Sequence, residues 1–235
     1  MQTGLTYESL EKISIGRPVD RLDHIAALCT GKTVLDIGCY DETALEKRGT
    51  GHWLHGRILE VANEVTGIDI SEKLPPEGLA TGSNGRILRR DAARMDLDGI
   101  HAQGIQIVIA GEFIEHLEHP LEFFREVKQK LPGREFVVST PNGVCFANTL
   151  MGTIGREVQH PDHLQNFTFK TLNTMCLRAG FHSWEIVPYR FYATEMILAS
   201  TGARRMLVKF VQAFIRGVER IFPLLSFGYI VRIRV

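Results

Sequence analysis

The chain has no apolar stretch close to the ~20 residues that a membrane-crossing helix needs, and none of its segments reads as one. Its first twenty residues, MQTGLTYESLEKISIGRPVD, also lack the apolar core of a secretory signal, which leads to the expectation of a cytoplasmic protein. Cysteine is scarce. The four residues Cys29, Cys39, Cys145 and Cys176 form no CxxC pair, which argues against a disulfide framework or a thiolate zinc site and for a reducing compartment. Net charge is missing too: 27 basic residues balance 27 acidic ones, so no global field draws the protein to nucleic acid or anionic lipid. Internal repeats and low-complexity tracts are absent. Any partner must therefore be argued from local features.

What is present fits one domain. With 235 residues and 44% hydrophobic content, the chain can bury a full α/β core. Apolar, β-branched runs at 33–38, 64–70, 86–90, 105–110 and 135–140 alternate with helical stretches near 52–63 and from Pro120. That alternation predicts a mostly parallel sheet covered on both faces. Pro120 suits a first helical position, where its missing N–H would have had no partner, and Leu131-Pro132-Gly133 ends that helix. Residues 7–30 read as a helical amino-terminal cover broken near Gly16-Arg17-Pro18. A helix over 168–180 and strands near 184–191 and 229–235 follow. Between the last two strands, 195–222 reads as a basic amphipathic helical insertion, with Met206, Leu207, Phe210, Val211, Phe214, Val218 and Ile221 at helical spacing.

In an open parallel sheet, ligands bind at the carboxyl ends of the strands. Here each of the first three ends carries an acid: Asp36 before the Gly38 turn, Asp69 before Ile70, and Asp91 before Ala92. A carboxylate such as Asp69 can accept from both hydroxyls of a ribose, and Asp91 from an adenine amino group. The competing reading is that such aspartates only cap the next helix. The ordered set resembles the class I S-adenosylmethionine (SAM) dependent methyltransferases over about residues 30–190. It implies a Rossmann-like, seven-stranded, mostly parallel sheet, with Asp36, Gly38, Cys39, Tyr40, Asp69, Ile70, Asp91, Ala92 and Glu112 at the cofactor. One feature departs from the family: Gly38-Cys39-Tyr40-Asp41-Glu42 replaces the usual G-x-G turn, with Tyr40 where the second glycine would stand. An NAD-binding Rossmann domain would need G-x-G-x-x-G there and ranks lower.

After the fourth of these runs comes Gly111-Glu112-Phe113-Ile114-Glu115-His116, and downstream His160-Pro161-Asp162-His163. If 112–118 make a helical turn, Glu112, Glu115 and His116 share a face. The pattern E-x-x-E-H followed by H-x-x-x-F-T, with its phenylalanine at Phe167, is similar to that of ubiquinone-pathway and small-RNA O-methyltransferases. This similarity implies a divalent cation (Mg²⁺, Mn²⁺, Fe²⁺ or Zn²⁺) at Glu112, Glu115, His116 and His163. Without metal, His116 or His163 could act as general base, and Glu115 belongs to the same catalytic group. The plain alternative is a set of groups paired with each other or with the backbone. His55 is a weak further candidate.

The resulting expectation is an O-methyltransferase acting on a hydroxyl of a small molecule, sugar or lipid-linked glycan. A SAM-binding scaffold without turnover and an RNA-end 2′-O-methyltransferase are the alternatives. Nucleic acid is disfavoured by the charge balance, despite the basic run Arg86, Arg89, Arg90 and Arg94. The basic insertion over 203–222 is read either as a packed lid or as a peripheral membrane contact.

Overall fold

The β-branched runs form strands whose alternate residues point to opposite faces, as the two-residue period of a strand requires. On strand β1 (Thr33–Ile37), Leu35 and Ile37 face one core while Val34 faces another. The same division holds on β5 (Ile107–Gly111), where Val108 and Ala110 join the first core and Ile107 and Ile109 the second. A sheet apolar on both faces must be covered on both. Helices α3 (Pro120–Lys130) and α5 (Phe169–Arg178) cover the first face with Phe123, Phe124, Val127, Leu172 and Cys176. Helices α1 (Arg21–Cys29) and α2 (Leu54–Leu59) cover the second with Ile25, Cys29 and Ile58.

The architecture comes from a computed structural model that describes residues 5–8, 10–40, 47 and 49–235. Besides β1 and β5, its strands are β2 (Glu64–Asp69), β3 (Leu79–Gly82), β4 (Gly85–Arg89), β6 (Glu135–Pro141), β7 (Trp184–Tyr189) and β8 (Gly228–Arg234). They form an eight-stranded sheet in the order β3-β4-β2-β1-β5-β6-β8-β7. Strands β4, β2, β1, β5 and β6 run parallel, while β8 runs antiparallel between β6 and β7. The Rossmann-like methyltransferase fold expected from the sequence is therefore present. The added strand is β3, which pairs antiparallel with β4 at the sheet edge.

Local chemistry accounts for the helix boundaries. Pro120 occupies the first turn of α3. At the start of α5, Thr168 and Thr171 form a reciprocal capping box. Helices α4 (Phe146–Thr153), α6 (Thr194–Leu198) and α7 (Gly202–Ile221) complete the set.

Two expectations are corrected. Among its described residues, the amino-terminal cover is helical only over α1. Upstream of it, Val19 pairs with the edge strand β7, donating its N–H to Pro188 and accepting from Arg190 N–H. Pro18 disfavours helical geometry at Arg17, the residue before it, which keeps the helix from extending back along the chain. The turn after β5 is also shorter than 112–118: only Ile114–His116 make one turn of 3₁₀ helix. This rotation places Glu115 inside, 1% exposed, and His116 outside.

Candidate active site

The carboxyl ends of β1, β2, β4, β5 and β6 line one edge of the sheet, and the predicted site residues divide there into three groups. The first lies after β1 and β2. Gly38 adopts φ +66°, and a Cβ at that position would come within 2.3 Å of the Phe113 ring, so only glycine fits. Asp69 accepts the Tyr40 N–H through Oδ2 at 2.9 Å and the Ser71 N–H through Oδ1 at 2.8 Å. Each oxygen keeps acceptor capacity, and burial raises the carboxyl pKa above its ordinary value. Ile70 beside it is 64% exposed, an apolar surface suited to a flat base.

Tyr40 meets Asp69 through its backbone alone. Its ring is buried with Cys39, Trp53, Leu74 and Ile87, so it does not stand over the Gly38 turn as a bare replacement for glycine. The Cys39 carbonyl accepts from Trp53 Nε1, and the buried Cys39 thiol is raised well above its usual pKa. Asp41 and Glu42 of this loop lie outside the described residues.

Asp36 is placed differently. It is 2% exposed, with Oδ2 2.9 Å from His55 Nδ1, while His55 Nε2 lies 3.0 Å from Thr81 Oγ1. These buried contacts link α2 to β1. Asp91 accepts the N–H groups of Ala93 and Arg94 through Oδ1 and pairs with Arg94 through Oδ2. That is the capping arrangement weighed from the sequence. Ala92 is buried in the core. The residues best suited to a SAM nucleoside are therefore Gly38, Asp69 and Ile70.

The second group surrounds Glu112, which holds a positive φ of 53°, uncommon for a side chain of its size. Its carboxylate is clasped from afar in sequence. Tyr189 donates to Oε1 at 2.8 Å, Tyr192 donates at 2.6 Å to either oxygen, and Arg21 Nη2 lies 3.4 Å from Oε2. The Arg21 guanidinium sits over both phenol rings, 5.9 and 5.5 Å from their centroids. Burial and the Glu112 charge push both phenols well above 10, which keeps them as donors. Sequence reading found none of these three partners, because no local pattern joins residues 21, 112, 189 and 192.

The third group is Glu115, His116 and His163, whose ligand atoms lie within 4.8 Å of one another. Glu112 stands apart from it, already satisfied. Both Glu115 carboxylate oxygens are buried without a hydrogen-bond partner among the described residues. Burial and the neighbouring Glu112 charge push its pKa up to about 8. The loop carrying His163 is docked by the Glu115 carbonyl, which accepts the N–H groups of Leu164 and Gln165. His116 Nδ1 donates to the Asp162 carbonyl at 3.1 Å, and His163 Nδ1 faces Gln159 Oε1 at 3.4 Å. Gln159 is itself fixed by its amide, which donates to Asn166 at 2.9 Å. Each ring therefore has its Nδ1 side set against a backbone or side-chain oxygen. Burial and the His116 and His160 rings lower the His163 pKa, favouring its neutral, ligating form. His160 completes an aromatic cluster, 6.1 and 5.5 Å from the two rings.

Comparison with known proteins bears on this arrangement. Residues 11–186, well over half of the chain, match the profile of a methyltransferase domain. The chain belongs to the methyltransferase-domain family. The comparison with curated proteins returns no match. Among solved structures, the fold of this family member is similar to that of a SAM-dependent methyltransferase from Archaeoglobus fulgidus (18% identity, TM-score 0.51, covering 91% of this chain and 94% of that one). It is also similar to the magnesium protoporphyrin IX methyltransferase of Synechocystis PCC 6803, solved with bound SAH (17%, 0.51, 91% and 82%). The small RNA methyltransferase HEN1 gives 18% identity and a TM-score of 0.58, with 97% of this chain aligned to 27% of that one.

Proposed function

We propose that this protein is a SAM-dependent O-methyltransferase whose hydroxyl acceptor is prepared at Glu115, His116 and His163 with a divalent cation. The observation that carries the reading is Glu115. A carboxylate 1% exposed, with both oxygens unpartnered, is costly to bury unless something cationic or protic meets it. Two imidazoles with oriented ring nitrogens beside it complete a three-ligand N/O set. Such a set leaves positions open for substrate.

In this reading Asp69 receives the ribose hydroxyls, Ile70 covers the adenine, and Gly38 lets the backbone approach the cofactor closely. SAM supplies a methyl group already activated by its sulfonium, so the protein's task is alignment and a more nucleophilic oxygen. A cation at the Glu115 cluster would supply the second by lowering the pKa of a coordinated hydroxyl. Glu115, His116 and His163 would hold the acceptor oxygen in place, and an imidazole not engaged as a ligand can take its proton. Glu112, fastened by Tyr189, Tyr192 and Arg21, keeps the turn between β5 and Glu115 in its strained form. The acceptor class is a hydroxyl of a small molecule, sugar or lipid-linked glycan.

Calorimetric titration of EDTA-treated protein with SAM, with and without Mn²⁺ or Mg²⁺, tests both halves. We expect saturable cofactor binding that weakens in Asp69→Asn, and a separate ion signal lost in Glu115→Ala and His116→Ala. Labelled-methyl transfer to hydroxyl acceptors should require the ion. Transfer only to nitrogen or carbon acceptors would overturn the reading, as would cofactor binding with no ion dependence and full turnover in His116→Ala.

A further inference from the structure

Helix α7 is docked by its polar side. Gln212 accepts the Ala193 N–H at 2.7 Å, Glu219 accepts the Phe191 N–H at 2.8 Å, and Arg216 Nε donates to the Phe191 carbonyl at 2.8 Å. Arg205 Nε closes the first turn on the Ser200 carbonyl at 2.7 Å. Of its twenty residues only Ile215 and Glu219 are buried. The apolar residues Met206, Phe210 and Phe214, spaced four apart, stand with Leu207 and Ile221 on one open face, with Met206 74% and Phe210 71% exposed. An ordinary surface helix does the reverse, burying its apolar face and exposing its polar one. Water is a poor partner for so much contiguous apolar surface.

The neighbouring elements extend this surface. The Phe146 ring of α4 meets Phe214 edge-on at 6.2 Å, and Leu150 of α4, Ile154 just after it, and Met196 and Leu198 of α6 are exposed. Charge selects the occupant. The helix carries five basic residues and one acid, and that acid, Glu219, is buried. Arg204, Lys209 and Arg220 are exposed and form no ion pair among the described residues. A second copy docked symmetrically would bring basic face against basic face. An anionic bilayer instead offers acyl chains to the aromatic stripe and phosphates to its basic flank. No helix among the described residues is long and apolar enough to cross a membrane, so the contact would lie in the plane of the interface.

We infer that α7, flanked by α4 and α6, binds peripherally to an anionic lipid bilayer through Met206, Leu207, Phe210, Phe214 and Ile221. The helix links the end of β7 to the start of β8, and both pair at Tyr189–Gly228, on the edge where Tyr189 holds Glu112. Helix α7 is therefore tethered at the same edge of the sheet as Glu112. Binding itself does not depend on the methyltransferase reading.

Co-sedimentation with phosphatidylcholine vesicles, with and without phosphatidylglycerol, tests the inference on the full chain. We expect the protein to pellet with the anionic vesicles and to be released by high salt. Phe210→Ser/Phe214→Ser, exposed positions whose folding circular dichroism verifies, should lose at least tenfold in binding. Lys209→Glu and Arg220→Glu should each lose about fivefold or more, and Leu177→Ser, on α5, should lose none. A wild-type protein that stays in the supernatant with both vesicle types overturns the inference. So does equal binding to neutral vesicles that is insensitive to the charge variants. A concentration-dependent dimer in light scattering, abolished by Phe210→Ser/Phe214→Ser without vesicle binding, would also overturn it and assign the face to a second copy.

Discussion

The phenol of Tyr192 lies 2.6 Å from each carboxylate oxygen of Glu112. Because Tyr189 and Arg21 reach the same carboxylate, one acid at the carboxyl edge of the sheet is fully engaged. The other, Glu115, only three residues on, has no hydrogen bond to either carboxylate oxygen among the described residues. Hydrogen bonds to charged groups contribute about 1.5–3 kcal/mol each. Tyr192→Phe should lower unfolding free energy by about that amount in urea titrations. Tyr189→Phe combined with Tyr192→Phe should cost clearly more than either alone. A double variant as stable as wild type would mean that the clasp contributes nothing.

The Gly38 turn makes a sharper test of packing. An alanine there would meet the Phe113 ring at 2.3 Å and would be held at φ +66°. Strain of this kind costs on the order of 1–3 kcal/mol. Gly38→Ala should therefore reduce the melting temperature and cofactor affinity together. Phe113→Leu in the same chain should recover part of the stability but not the part due to φ. Full recovery would show that the backbone conformation carries no cost.

Gln159 touches no cation in the proposed reading, yet its Oε1 faces His163 Nδ1. Partners that orient a ligating imidazole typically contribute 10–100-fold to metal affinity. Gln159→Ala should weaken Mn²⁺ binding by about tenfold while leaving SAM affinity unchanged. Equal loss of both would point to a collapsed loop.

The docking of α7 should depend on pH through Glu219. Burial pushes its pKa from an ordinary 4.5 up to about 7, although the Phe191 N–H works in the other direction. Between those values the folded protein holds a proton that the unfolded chain has released. Stability from this site is thus complete below about 4.5 and is lost as pH rises through about 7. The melting temperature should fall over that interval, and Glu219→Gln, which keeps an acceptor for Phe191, should flatten the decline. An unchanged slope in the variant would place the pH dependence elsewhere.

Much of the sheet was legible in the sequence because its central strands are buried on both faces and read as unbroken apolar runs. Strand β3 was not, since Leu79–Gly82 is a short edge strand with no apolar run to mark it. The acids at the ends of β1, β2 and β4 could be seen, but their roles could not. Asp36 is bound to His55 by packing nineteen residues away, while Asp69 keeps its place at the crest. Glu115, His116 and His163 lie close together, while Glu112 is engaged by Arg21, Tyr189 and Tyr192 from both ends of the chain. Periodicity found α7 but could not tell which face it would bury. Polar docking reversed the usual choice.

The last strand in the chain is not the last in the sheet. Strand β8 lies between β6 and β7, so until residues 228–234 are made, two strands already synthesised have unpaired flanks toward each other. During translation, β7 and the α6–α7 region behind it therefore wait without their central partner. The sheet is therefore joined between β6 and β7 only once residues 228–234 are in place.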